Sequence, residues 1–222
     1  MKKRKTNPTV EKLIIKKTIA FQIRRKWGGL YMKNSMVSIY AMIGIWIAVY
    51  ILDQLFNIGQ WLFAKGISVE RGAIYRYFTA SFLHTNIVHL LANCFAIYFI
   101  TIYLNHKING AVLLIHSVLC ATITNLVIAF IYNESEYIFG GSVCIFAIIG
   151  LILTMQFLNP GIEPFRMGTW YGNWMIGYVI LGNIMNGDLK LFDVSCMVTH
   201  GISFVVGIVL GVPFMRITMR RK

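Results

Sequence analysis

From residue 36 onward the chain is written in long apolar blocks separated by short polar breaks. Six blocks of about 17 to 21 residues stand out, at 36–52, 87–104, 111–131, 140–157, 171–186 and 196–214. That is close to the length an α-helix needs to cross a hydrocarbon core. The fifth, "YGNWMIGYVILGNIMN", is the weakest, being short and holding three asparagines. The pattern predicts an all-α integral membrane protein, a bundle of six transmembrane helices. The long break at 53–86 is not a plain polar loop. Its "LFNIGQWLFAKGIS" and "GAIYRYFTASFL" mix aromatics with single basic residues, which predicts a segment lying in the membrane interface.

Composition agrees with the pattern. Hydrophobic residues make up 57% of the 222 positions and only 13% are charged, with a mean hydropathy of +0.66. There is too little polar surface to dress a soluble domain of this size. The formal charge of +13 would suggest nucleic acid if it were spread along the chain. Instead 11 of the 21 basic residues lie in the first 35 positions, and four more lie between Arg216 and Lys222. Basic ends flanking apolar spans are topology signals, so no nucleic-acid partner is expected.

With both termini cytoplasmic, the inner segments hold 17 basic residues and two acidic ones, Glu11 and Glu163. The outer segments then hold four basic residues (Lys65, Arg71, Arg76, Lys190) against six acidic ones. An even number of spans with both ends inside fits this asymmetry. The expected organisation is a basic cytoplasmic segment at 1–35, a membrane domain at 36–214 and a basic tail at 215–222. The first segment is compatible with a surface helix or with disorder. No cleavable signal peptide is visible, since the lysine-rich start precedes any long apolar stretch. Cys94, Cys120, Cys144 and Cys196 show neither metal-ligand spacing nor a disulfide pattern and read as small buried hydrophobes.

Polar side chains inside spans are costly and therefore suspect. No Asp, Glu, Lys or Arg lies deep in the six blocks, which leaves His89, Asn93, Ser142 and His200, with His116, Asn125 and the fifth-span asparagines as background. His89 and Asn93 are four apart and share one helix face. In this topology all four sit toward the outer leaflet at similar depth. His200, Ser203, Gly207 and Gly211 form a stripe of mostly small residues, and Ser142, Phe146 and Gly150 form another. Small-residue stripes let helices approach closely. If these two face each other, Ser142 comes within reach of His200. A serine beside an imidazole is the minimal activated nucleophile. The N–H of Ser142 at a helix start, and the side chains of His89 and Asn93, are donors for a developing oxyanion. Taken singly each residue has a plain structural role: Ser142 as a helix N-cap, the histidines as interhelical hydrogen-bond partners, His84 as a loop anchor.

"RYFTASFLHTNIVHLLAN" (76–93), "GGSVCIFAIIG" (140–150) and "THGISFVVG" (199–207) together resemble a rhomboid intramembrane serine protease. The resemblance covers about residues 36–214. It implies a rhomboid-like fold and a Ser-His dyad of Ser142 as nucleophile and His200 as base. It also implies oxyanion support from His89 and Asn93, and Phe146 in place of an aromatic that stacks on the base. Gly140, Gly150, Gly207 and Gly211 are expected at helix contacts. The implied activity is endopeptidase cleavage of single-span membrane proteins near their outer end, with no metal or cofactor. The implied setting is the lipid bilayer of a bacterial cell membrane. Three departures from the family pattern are visible. Val143 replaces a glycine after the serine, Ser203 replaces a glycine after the histidine, and "NHKING" stands where a glutamate is usual. Val143 leaves room for the alternative of a weak or silent rhomboid-like protein that binds transmembrane clients.

Overall fold

The computed structural model describes residues 37–66, 73–105, 107–132, 137–159, 162, 167–184 and 191–220, the last four through their backbone alone. The basic N-terminal segment, the end of the C-terminal tail and several loop charges (Glu70, Arg71, Glu134, Glu136, Glu163, Arg166, Asp188, Lys190) lie outside these residues. The described chain is helical. Its long elements are α1 (Val37–Phe56), α4 (Ile87–Leu104), α5 (Gly110–Ile131), α6 (Ser142–Leu158), α7 (Trp170–Ile184) and α8 (Val194–Arg220). Two single-turn helices, α2 (Gly59–Leu62) and α3 (Arg76–Thr79), lie between α1 and α4, and a 3-10 turn follows α3 at Ala80–Phe82.

Each expected span coincides with a long helix. Four of the helices, α1, α4, α5 and the Val194–Arg216 part of α8, are long and apolar enough to cross a membrane, while α6 is apolar but shorter, at 17 residues. α7 has 15 described residues. The short α6 follows from Gly140, whose φ of +131° is not helical, so the helix starts at Ser142 and not at 140. At the other extreme, α1 runs one turn further than the apolar block. Asn57 stops it in the left-handed conformation (φ 52°), with its N–H bonded to the Asp53 carbonyl. A left-handed asparagine just past the last turn is a common helix stop. Asp53, counted above as a loop charge, is therefore inside α1, where its carboxylate accepts from the Gly59 N–H at 2.5 Å.

The centre of the molecule is α6. Its residues from Val143 to Ile148 are all buried, and it packs along α8. Glycine makes this approach possible at Gly207, at Gly150 and, against the Thr154 side chain, at Gly211. A Cβ on Gly207 would collide with the Ala147 backbone, and one on Gly150 would collide with the backbone of Phe204 and Ile208. Such contacts gain dispersion energy and admit polar links, which drive helix association where lipid removes the hydrophobic term. Two of these links lie deeper along the pair. The Ser203 hydroxyl donates to the Val143 carbonyl at 2.5 Å, and the Thr154 hydroxyl lies 3.2 Å from the Ile208 carbonyl. α7 sits outside this core against α4, with Trp174 and Trp170 on Phe99 and Tyr171 on Tyr103.

The connection between α1 and α4 is pinned at several points. The Trp46 indole of α1 donates to the Ser81 carbonyl, and the Asn125 amide of α5 donates to the Tyr77 carbonyl and the Ser81 hydroxyl. Ala64 and Ile138 exchange a pair of backbone bonds, and the Gly140 N–H donates to the Ala80 carbonyl. Trp61, Ile74, Tyr75 and Phe78 remain exposed on the same segment. Asn125 thus acts as the interhelical tie its sequence position implied. His116 similarly packs edge-on against Phe214 of α8, beside the Cys120 thiol.

Candidate active site

The turn before α6 sets the position of its first side chain. Gly140 holds a positive φ that a larger residue would adopt only with strain, and a Cβ there would face His89 and the Ser142 hydroxyl. Its role is the turn rather than the helix contact the sequence suggested, because it lies before the helix. Gly141 is walled on two sides. A Cβ at this position would fall 2.8 Å from both His84 Nε2 and Trp46 Cζ2. Chain direction is thus fixed by packing and backbone conformation, and Ser142 follows as the first helical residue.

Ser142 is not the cap of α6. Gly141 occupies that position, and no side chain caps the helix there. The Ser142 hydroxyl instead lies 3.0 Å from His200 Nε2. His200 is buried, one turn and a half into α8, and its ring stacks on Phe146 with centroids 4.0 Å apart and planes 13° from parallel. On the opposite edge its Nδ1 lies 3.3 Å from the Asn183 Oδ1 of α7. The small-residue stripes of α6 and α8 therefore bring the serine and the imidazole together.

Asn93 and His89 approach from α4. Asn93 is buried, its Oδ1 accepts from the Tyr178 hydroxyl of α7 at 2.7 Å, and its Nδ2 has no protein partner. A buried amide with a free donor is costly unless something fills it. His89 holds its Nδ1 3.3 Å from the Thr85 hydroxyl, with its other edge toward Gly140. Asn86 caps α4 by accepting the His89 N–H at 2.9 Å. The Ser142 N–H, in the first turn of α6, has no intrahelical acceptor. His89 and the Ser142 hydroxyl both flank the Gly140 turn. His84 packs edge-on against both Trp46 and His89. Burial, and then the neighbouring His89, hold its pKa down at about 3.

A family model for the rhomboid domain matches residues 71–217. The chain belongs to the rhomboid family. No curated protein sequence matches it. As a rhomboid it falls in a family of intramembrane proteases, and its long apolar helices are those of an integral membrane protein. Two positions in this rhomboid were not singled out from sequence as site residues. Asn183 was visible only as one of three asparagines in the weakest apolar block, and polarity in a span is a usable signal. Tyr178 carried no signal, since a tyrosine at a helix position reads equally as lipid-facing. Cys196 is not simply a buried hydrophobe: its sulfur lies 3.7 Å from His200 Nε2 and 3.9 Å from the Gly182 carbonyl. Among the described residues no group of His, Cys, Asp and Glu is arranged to hold a metal, and all four cysteines are free thiols.

Proposed function

We propose that this rhomboid is an active intramembrane serine endopeptidase. The observation that carries the reading is the 3.0 Å contact between Ser142 Oγ and His200 Nε2, with the imidazole held flat on Phe146. In this reading Ser142 Oγ attacks the scissile carbonyl while His200 Nε2 takes its proton. The oxyanion that forms is met by the Ser142 N–H, the Asn93 amide and the His89 ring. His200 then gives its proton to the leaving amine, leaving an acyl-enzyme. A water molecule, deprotonated by His200, cleaves the ester and restores the serine. No metal or cofactor has a step in this sequence.

The chain is proposed to cross the membrane six times, α6 and α7 included, with residues 36–214 as the membrane domain and basic cytoplasmic segments at 1–35 and 215–222. The serine then lies near the outer end of its span. The substrates proposed are single-span membrane proteins, cut near the outer end of the span where Gly, Pro or small residues weaken the helix. The setting proposed is the cell membrane of a bacterium. The competing reading, a silent client-binding protein, gains no support from Val143, whose side chain is buried in the core.

The test is labelling by a fluorophosphonate probe, with Ser142→Ala and His200→Ala as controls. Labelling of the wild type alone, together with loss of substrate cleavage in both variants, is the expected result. Equal labelling of Ser142→Ala, or wild-type cleavage by His200→Ala, removes the dyad. Mass spectrometry of product termini from a substrate of known orientation tests the depth, and cuts clustered in its cytoplasmic third would contradict it.

A further inference from the structure

The protease reading leaves one contact of His200 unused. Imidazole has two neutral tautomers, and only the one protonated at Nδ1 leaves Nε2 free to accept the serine proton. We infer that Asn183 is a positioning residue that holds His200 in its Nδ1-protonated form. The inference rests on the protease reading only for its consequence in rate, and on geometry for the tautomer itself.

Asn183 projects from the end of α7 with its Oδ1 3.3 Å from His200 Nδ1. The amide orientation is fixed independently of the histidine. Asn183 Nδ2 donates to the Val179 carbonyl one turn back on its own helix, at 2.7 Å. Rotating the amide by 180° would set two oxygens against each other at that contact. The atom facing His200 is therefore an acceptor, and an acceptor calls for a proton on Nδ1. With the proton on Nε2 instead, the Nδ1 lone pair would face the Asn183 oxygen, and the only gain would be a bond to Ser142 in the wrong sense. The Cys196 sulfur is the other group near the ring. It lies 3.8 Å from Nδ1 and 3.7 Å from Nε2, so it favours neither nitrogen. Phe146 fixes the plane of the ring, and Asn183 fixes which nitrogen carries the proton. The serine and histidine of α6 and α8 thus have a third partner on α7. The same helix orients Asn93 through Tyr178.

The experiment is nitrogen-15 NMR of the full chain in detergent micelles, labelled at its five histidines, with the His200→Ala protein assigning the His200 signals. The expected wild-type spectrum shows His200 protonated at Nδ1. Asn183→Leu should move it to the Nε2 form or a mixture, and Asn183→Asp, which keeps an acceptor oxygen, should restore Nδ1. In peptide cleavage Asn183→Leu should lower kcat roughly tenfold or more with KM unchanged, a part of the 10²–10⁴ that general-base catalysis supplies. Asn183→Asp should recover most of that loss. An Nε2-protonated His200 in the wild type overturns the inference, even if no variant folds. So does an unchanged tautomer in folded Asn183→Leu. If the wild type neither cleaves nor reacts with the probe, the protease reading fails, and the tautomer still decides this inference separately.

Discussion

The Ser203 hydroxyl of α8 donates to the carbonyl of Val143 on α6, the two residues that depart from the glycines the sequence resemblance implied. The two departures meet each other. The Val143 side chain is buried in the core, and Ser203 is fully buried against its backbone. A β-branched residue directly after Ser142 would be expected to crowd the helix start, and Val143→Gly to relieve it. The structure points the other way. That substitution should cost about 2–4 kcal/mol, from the cavity it leaves and the backbone freedom it adds, and should bring no gain in turnover. Thermal unfolding in detergent and peptide cleavage measure the two effects; a stable, faster variant would refute the argument.

Gly207 and Gly201 lie on the same helix and should behave oppositely. A Cβ on Gly207 meets the Ala147 backbone, whereas one on Gly201 has nothing within 4 Å. Gly207→Ala should force α6 and α8 apart, lowering stability and pulling the serine away from His200. Gly201→Ala should be neutral or gain up to about 1 kcal/mol from helix propensity. Melting temperatures of the two proteins give the comparison, and equal tolerance would mean that α6 and α8 do not pack this closely.

Tyr178→Phe removes the hydroxyl that holds Asn93 Oδ1 and leaves the ring beside Phe146. If Asn93 works as an oxyanion donor, losing its orienting bond should cost on the order of 1 kcal/mol, a five- to tenfold fall in kcat. KM should hold, because the hydroxyl does not act in ground-state binding. A raised KM with intact kcat would instead assign Tyr178 to the substrate path.

The extent to which this was legible in the sequence depended on range. The long helices were readable because lipid imposes a local rule, unbroken apolar residues over a fixed length. Ser142, His200, His89 and Asn93 were readable because an apolar background makes each polar side chain conspicuous. The pairing of α6 with α8 was readable from glycine spacing. Ser142 was rightly read at a helix start, but the apolar block drawn from 140 begins two residues before α6, since the positive φ of Gly140 goes with a bond from its N–H to Ala80, sixty residues away. Asp53 was misassigned because its carboxylate caps a turn that no periodicity announces. Asn183 and Tyr178 were missed for a related reason. Their roles exist only where α7 meets α4 and α8, which no single-helix pattern encodes.

His84 gives a pH prediction outside the spans. Its folded pKa of about 3 lies below the ordinary value of 6.5, so the unfolded chain binds the proton more tightly. Its contribution is complete above pH 6.5 and is lost as pH falls from there toward 3. At pH 5 the loss from this one group is roughly 2 kcal/mol. His84→Phe keeps an aromatic ring against Trp46 and removes the titrating group. It should flatten the fall in melting temperature between pH 7 and pH 5. An unchanged slope would show that His84 stays neutral in both states or charged in both.

The walls around Gly141 have a consequence for how such chains can vary. Trp46, His84 and residue 141 share one fixed volume, and in this chain the indole and the imidazole have taken all of it. A side chain at 141 can enter only if one of the two rings shrinks or withdraws. Positions 46 and 141 should therefore change together, bulk at one traded for bulk at the other. The residue before the serine is then not free to drift here. A tryptophan on the first long helix, far away in sequence, decides what may stand next to Ser142.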